Sequence, residues 1–249
     1  MKKFLSALTL AIGISANCFA MPNDIEVEGV TYPEQGVSVN QARRIAVMDA
    51  YRYLAEQVDV LYVSADSTVK NMRDLDEKIN TKVEAAIRGA KVVSITRAAD
   101  GSFHAKVRLP VSGSANSIAA AVLPPSDSLV EFPKPRLTNI EIPAGYTGLV
   151  VDCKNLSLKE AITPAIKAAD GREIYAYKNI GYSKTLEKGL VKYSKEADAS
   201  RVGDKPLTVK AVSVSGGCDI IVSNEDADRI LAANQKGNFL SSCAICLVR

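Results

Sequence analysis

The stretch NQARRIAVMDAYRYLAEQV, Asn40 to Val58, decides how the N-terminal half of this chain folds. Its apolar residues recur at helical spacing. With Ala50 at the centre of a helical wheel, Ala46, Val47, Leu54 and Val58 gather on one side and Ala42 sits at the edge. That side is the predicted core face, and Asn40 is the predicted N-cap. Asp49 lies at the border of this face, within reach of Arg52, Tyr53 and Glu56. Ile45, Met48 and Ala55 fall on the opposite side. A helix that is apolar on its back needs a cover, so these three residues form a candidate interaction face.

Working outward, Ile25–Tyr32 (IEVEGVTY) alternates apolar and polar residues and reads as an edge strand. Val60–Val69 reads as a β-branched strand with a bend. Asp74–Arg88 is a periodic helix with Leu75, Ile79, Val83, Ala86 and Ile87 on one face, acids in its first turn, and Gly89 as its stop. KVVSITR and SFHAKVRLP then form a hairpin closed at Asp100-Gly101. The order strand, helix, strand, helix, strand, strand predicts an α+β domain with two helices on a small sheet. SANSIAAAVLP closes it with a short helix.

Pro124–Arg136 holds four prolines and reads as a semi-rigid linker. Beyond it, GLVVDC looks like a strand buried on both faces, and ADGREIYAY is a second Asp-Gly turn and strand. SKTLEKGLVKYSKEADASR suggests short helical pieces, and LTVKAVSVS and CDIIVS are strands. Ser223 with Asp226 opens a helix to about Ala233, and FLSSCAICLV is the last strand. The predicted organisation is therefore residues 1–20 as a leader, 21–123 as one α+β domain, 124–136 as linker, and 137–249 as a second small α+β domain.

The leader follows from MKKFLSALTLAIGISANCFA: Lys2 and Lys3, an apolar run too short to span a bilayer, then Cys18-Phe19-Ala20. Cleavage is expected between Ala20 and Met21, giving an exported protein. Acylation of Cys18 is the lesser alternative, because Ser15 and Asn17 match a lipoprotein signal poorly; only that route would attach the chain to a membrane. Losing Lys2 and Lys3 takes the formal net charge of +3 close to neutral, which argues against nucleic acid as a partner.

Of the five cysteines, Cys153, Cys218, Cys243 and Cys246 remain after cleavage. In an exported chain they permit two disulfides, and small buried thiols are the equal alternative. In CAICLVR the two cysteines of the pair would point to opposite faces of a strand, unlike a redox pair at a helix N-terminus.

Other candidate chemistry is sparse. The one histidine, His104, alternates with Ser102, Lys106 and Arg108 on the solvent side of its strand. A Ser-His-Asp set or a histidine metal site therefore has no basis. VSGGCD (Val214–Asp219) is a strand-to-strand turn that lacks the lysine of a phosphate loop. NEDAD (Asn224–Asp228) and RDLDEK are acidic helix starts, and the first lacks the glycine and closing glutamate of a calcium loop. No catalytic residue, cofactor or metal is predicted. Asp49, Tyr51 and Arg52 read as the polar border of a core helix.

The spaced string Ala42, Ala46, Asp49-Ala50-Tyr51-Arg52, Leu54-Ala55-Glu56 resembles the helix of the LPP-twenty surface lipoprotein family. Ser67–Val69, Asp76, Ile79, Val83, Ile87, Gly89 and the Asp100-Gly101 hairpin continue the resemblance in order, over about residues 24–123. YTGLVVD, DGREIY, RVGDKPLTVKA and IIVSNEDADRI look like the companion domain that follows this module in some bacterial chains. Two departures stand out: the poor acylation signal, and Asp59 where the family often has glycine after the helix.

The resemblance implies an exported, non-enzymatic envelope protein, periplasmic or outer-membrane associated. It would act through an envelope partner or self-association, some relatives taking part in flagellar outer structures. An exported module that binds a small ligand or polysaccharide is the alternative, to be favoured by a concave polar pocket in the second domain. A thiol redox protein using Cys243 and Cys246 is the third reading.

Overall fold

The computed structural model describes residues 24–33, 36–126, 128–137 and 142–249. Cys18, Ala20 and Met21 lie outside the described residues. The chain is α+β in two parts. The first begins with β1 (Asp24–Thr31) and α1 (Val39–Asp59). Ser38, not Asn40, caps α1: its backbone is extended and its hydroxyl accepts from the Gln41 N–H at 3.3 Å. Asn40 is already inside the helix. Ala42, Ala46, Ala50, Leu54 and Val58 are buried, as the wheel predicts. Asp59 ends the helix in an ion pair with Arg73.

The expected bent strand at 60–69 is instead a tight hairpin, β2 (Tyr62–Ser64) and β3 (Ser67–Thr68), separate from the main sheet. Thr68 then caps α2 (Val69–Leu75). The periodic segment is also broken. α3 runs Glu77–Arg88, and Asp76 stands between the helices in extended conformation, accepting from the Lys78 and Ile79 N–H groups. Leu75, expected on the core face, is therefore out of phase with α3 and 88% exposed, whereas Val83 and Ala86 are buried. Gly89 caps the end of α3.

The hairpin forms as predicted from β4 (Lys91–Arg97) and β5 (Phe103–Pro110), and α4 (Ile118–Val122) follows. The sheet order is β1-β5-β4, all antiparallel. α1 lies across its inner face. The alternation of β5 sends Phe103, Ala105, Val107 and Leu109 into the core and leaves Lys106 and Arg108 in solvent.

The second part is a mixed seven-stranded sheet. Its elements are β6 (Gly148–Asp152), β7 (Ile166–Ala168), β8 (Glu173–Tyr175), α5 (Tyr177–Ile180), α6 (Tyr182–Lys188), β9 (Lys192–Ser194), α7 (Ala199–Val202), β10 (Pro206–Ser215), β11 (Asp219–Val222), α8 (Asn224–Gly237) and β12 (Ile245–Val248). The order is β8-β7-β11-β10-β6-β12-β9. β6 lies inside the sheet, parallel to both its neighbours, β10 and β12. Leu149 and Val151 enter the main core while Val150 faces a smaller cluster with Val202, Cys246 and Val248, so β6 is buried on both faces. β9 lies in a segment whose polar sequence suggested only helical pieces; a three-residue edge strand is too short to show a period.

The proline-rich segment is a strap, not a spacer. The Val130 N–H donates to the Lys178 carbonyl at 2.8 Å, the Asn179 amide returns a bond to the Val130 carbonyl at 2.9 Å, and the Phe132 ring stacks on Tyr175. The two parts also meet at the β2–β3 hairpin. The Ile162 and Thr163 N–H groups donate to the Tyr62 and Val63 carbonyls at 3.0 and 2.8 Å, and Ile162 joins the hydrophobic cluster of the first part.

Candidate functional site

The sequence singled out DAYR, and the structure gives each of its residues a structural partner. The Asp49 carboxylate accepts from the Val30 N–H at 3.4 Å and binds Arg52 at 2.7 Å. Ala50 packs on Gly29. The Tyr51 hydroxyl donates to the Ala90 carbonyl at 2.7 Å, tying α1 to the end of α3. Arg52 also reaches Glu56 at 3.3 Å and lies over the Tyr53 ring. This is how a helix is fastened to a sheet.

On the far side of α1, Met48 is 71% exposed and Ile45 41%, with Ala55 half-buried. His104 sits on the solvent side of β5, 3.5 Å from Glu28 and 2.9 Å from the Ser102 hydroxyl. VSGGCD is the β10–β11 turn.

The four described cysteines are free and buried. They form no disulfide with one another. Burial pushes the Cys153 and Cys218 thiols up to about 12, and also raises Cys243. Cys243 precedes β12 in a turn, with φ +56°, so the two cysteines of CAIC do not share a strand as the sequence suggested. They lie in separate clusters, Cys243 in the main core and Cys246 beside Val150. Low-pKa thiolates are the requirement of redox catalysis, and these surroundings oppose it.

Sequence reasoning missed a cleft of about 550 Å³ in the second part. It is lined by Arg136, Leu137, Asp170, Arg172, Asn224, Glu225, Asp228 and Arg229. Three distant segments build it: the end of the strap, the β7–β8 turn, and the start of α8. Asp228 is its organising residue. It is buried, and burial alone would raise its carboxyl. The Arg136 N–H at 3.0 Å, the Arg172 guanidinium at 2.8 Å and the Leu137 N–H at 3.3 Å prevail and hold it below the ordinary carboxylate range. Arg136 pairs with Asp170, and Arg229 with Asp226 at 2.7 Å. The Asp170 N–H donates to the Asn224 side-chain oxygen at 2.9 Å.

Arg172 is the most deeply buried of these guanidinium groups, its side chain 12% exposed. Its Nη1 serves Asp228, while its Nε and Nη2 have no hydrogen-bond partner. One sequence signal could have found this site: Asp228 falls among Ala227, Ile230, Leu231 and Ala233 on the buried face of α8, where an acid needs a cation.

Residues 29–110 match the LPP20 lipoprotein family, and residues 148–249 match the second domain of Treponema pallidum Tp0624. The chain is thus similar to the LPP20 family over its first part and to that companion domain over its second. The LPP20 match covers β1 from Gly29, α1 with its fastening residues, and the hairpin to Pro110. The companion match covers the whole seven-stranded sheet and, in α8 and the β7–β8 turn, most of the cleft. The match to a lipoprotein family points to an envelope-associated protein. Among the described residues no helix is long and apolar enough to cross a membrane. No curated protein matches the chain.

Proposed function

We propose that this LPP20-domain chain is an exported, non-enzymatic envelope protein that acts through protein–protein interaction. The contact surface is the outward face of α1. The observation that carries this reading is Met48 standing 71% exposed beside Ile45, on a helix whose other face is wholly committed to the core. The family match supports the envelope setting, and the resemblance extends it to surface or flagellar-associated assemblies.

Chemical crosslinking in intact envelopes, read by native electrophoresis, tests this. A discrete complex is expected for wild type and is lost in Met48→Glu, with the fold unchanged by circular dichroism. A strictly monomeric protein whose crosslinking is the same in Met48→Glu overturns it.

The second domain supports a separate reading, an exported ligand-binding module, because it holds the concave polar cleft around Arg172.

A further inference from the structure

We infer that this chain associates with itself head to tail, the β4 edge of one copy taking the β1 edge of the next. This rests on the α1 contact surface proposed above and names its partner as a second copy of the chain. In the sheet β1-β5-β4, neither edge strand is extended by another strand among the described residues. An edge strand offers a row of unpaired N–H and C=O groups to another chain. β4 is the more open edge, because α1 lies over β1 and β5 and stops short of it. Val92 stands opposite the buried Val107, on the inner face, yet is 43% exposed, and Val93 beside it is 47% exposed. A strand added here would pair the backbone and cover both valines.

Charge selects the partner strand. β1 (DIEVEGVT) carries Asp24, Glu26 and Glu28 on its outer face and no base, whereas β4 (KVVSITR) carries Lys91 and Arg97 and no acid. Each symmetric pairing sets like charges against each other. Two antiparallel β4 strands centred on Ser94 place Lys91 opposite Arg97, and two β1 strands centred on Glu26 place Asp24 opposite Glu28. A β4-to-β1 contact does the reverse. Lys91 shares the outer face with Arg108, and the next copy adds its row of acids beside it.

The two flanks of α1 match this arrangement. Met48 lies about 60° round the helix from Tyr51, whose hydroxyl reaches Ala90 just before β4. Ile45 and Tyr53 each lie about 40° from Asp49, which reaches Val30 of β1. Met48 therefore leans to the β4 side, and Ile45 and Tyr53 to the β1 side, all three exposed. Head-to-tail addition brings Met48, Val92 and Val93 of one copy against Ile45 and Tyr53 of the next. Asp49 already caps the β1 edge at Val30, so the stretch left for a partner is 24–29. Such a contact is heterologous, and every copy added leaves one open edge at each end of the assembly.

Sedimentation velocity of the chain from Met21, between about 1 μM and 1 mM, tests this. Wild type is expected to grow past dimer as concentration rises. Met48→Glu and Ile45→Glu, both at exposed positions, should each weaken association about tenfold or more with the circular dichroism unchanged, because each would bury an unpaired carboxylate. Mixed in equal amounts, the two variants should form a dimer that does not grow, since one keeps an intact β1 side and the other an intact β4 side. Lys91→Glu, which touches neither flank of α1, should weaken growth about threefold; growth equal to wild type overturns the strand pairing. A wild-type dimer that does not grow, or variants that stay monomeric when mixed, overturns the head-to-tail assignment and leaves the α1 contact surface standing. Wild type that is monomeric throughout, with crosslinking in envelopes still lost in Met48→Glu, overturns self-association and leaves an envelope partner on that surface. Monomer throughout with crosslinking unchanged in Met48→Glu overturns both.

Discussion

Gly29 of β1 and Ala50 of α1 meet backbone to backbone. A Cβ at Gly29 would stand 2.2 Å from the Ala50 nitrogen and 2.2 Å from the Ala46 carbonyl oxygen. The alanine spacing of α1 and the glycine in the strand are thus one device, which lets the helix lie directly on the sheet. The Asp49 bond to Val30 follows from this approach, because it needs the helix against the strand.

Gly29→Ala is therefore expected to destabilise the N-terminal part of the chain by about 2 kcal/mol or more, as overpacking against backbone that cannot yield. Gly89→Ala is the control, since a Cβ there meets nothing closer than 3.3 Å. Urea denaturation followed by circular dichroism checks the pair; equal midpoints would show that α1 can ride away from the sheet at little cost.

A second close approach joins the domains. Gly216, in the β10–β11 turn with φ +57°, would place a Cβ 2.5 Å from the Ala65 Cβ in the β2–β3 hairpin. Main-chain bonds from Ile162 and Thr163 to Tyr62 and Val63 lie in the same contact. Wild type should melt in one calorimetric transition, and Gly216→Val should split it in two. Two transitions already present in wild type would contradict this coupling.

Asp198 caps α7 through the Ser200 N–H and binds Lys192. The hydrogen bond from Lys192, then that from the Ser200 hydroxyl, lowers its carboxyl to about 2. A group depressed in the folded state stabilises it above the unfolded pKa of about 4. That contribution is lost as pH falls through the folded value. Asp198→Asn should be less stable than wild type at pH 6, the gap closing between about pH 4 and 2. Chemical denaturation at stepped pH measures it, and a gap independent of pH would mean that the charge of Asp198 contributes nothing.

The thiols give the simplest measurement. At pH 8 native protein should leave Cys153, Cys218, Cys243 and Cys246 unalkylated over a time in which a denatured sample is fully labelled, because all four are buried and the first three are held in the thiol form. Mass spectrometry reads the labels site by site. Rapid native labelling of Cys243 or Cys246 would revive the redox reading.

Much of the fold was legible because local periodicity reports burial directly. Ala42, Ala46, Ala50, Leu54 and Val58 fall where the wheel puts them, and β5 alternates without exception from Phe103 to Leu109. Leu75 shows the limit of the same method. Its spacing fits the α3 face, yet Asp76 spends its carboxylate as a cap and breaks the phase. The choice between a continuous helix and a cap depends on what packs around the junction. The reading of Pro124–Arg136 as a spacer failed for a related reason. Proline content fixes the extended backbone, but not what Val130 and Phe132 lie against.

By itself the sequence determined the export leader as an expectation, the α+β class, the core face of α1, its outward face at Ile45 and Met48, and the resemblance that the LPP20 match bears out. All of these depend on residues close together in the chain. Only the tertiary structure decided that DAYR fastens a helix, that the cysteines stay free, and that Arg136, Arg172 and Asp228 converge on one cleft. Arg136 and Asp228 stand 92 residues apart. Pairing at that separation is set by which buried acid needs which cation, a requirement that exists only once the strap and α8 have packed together.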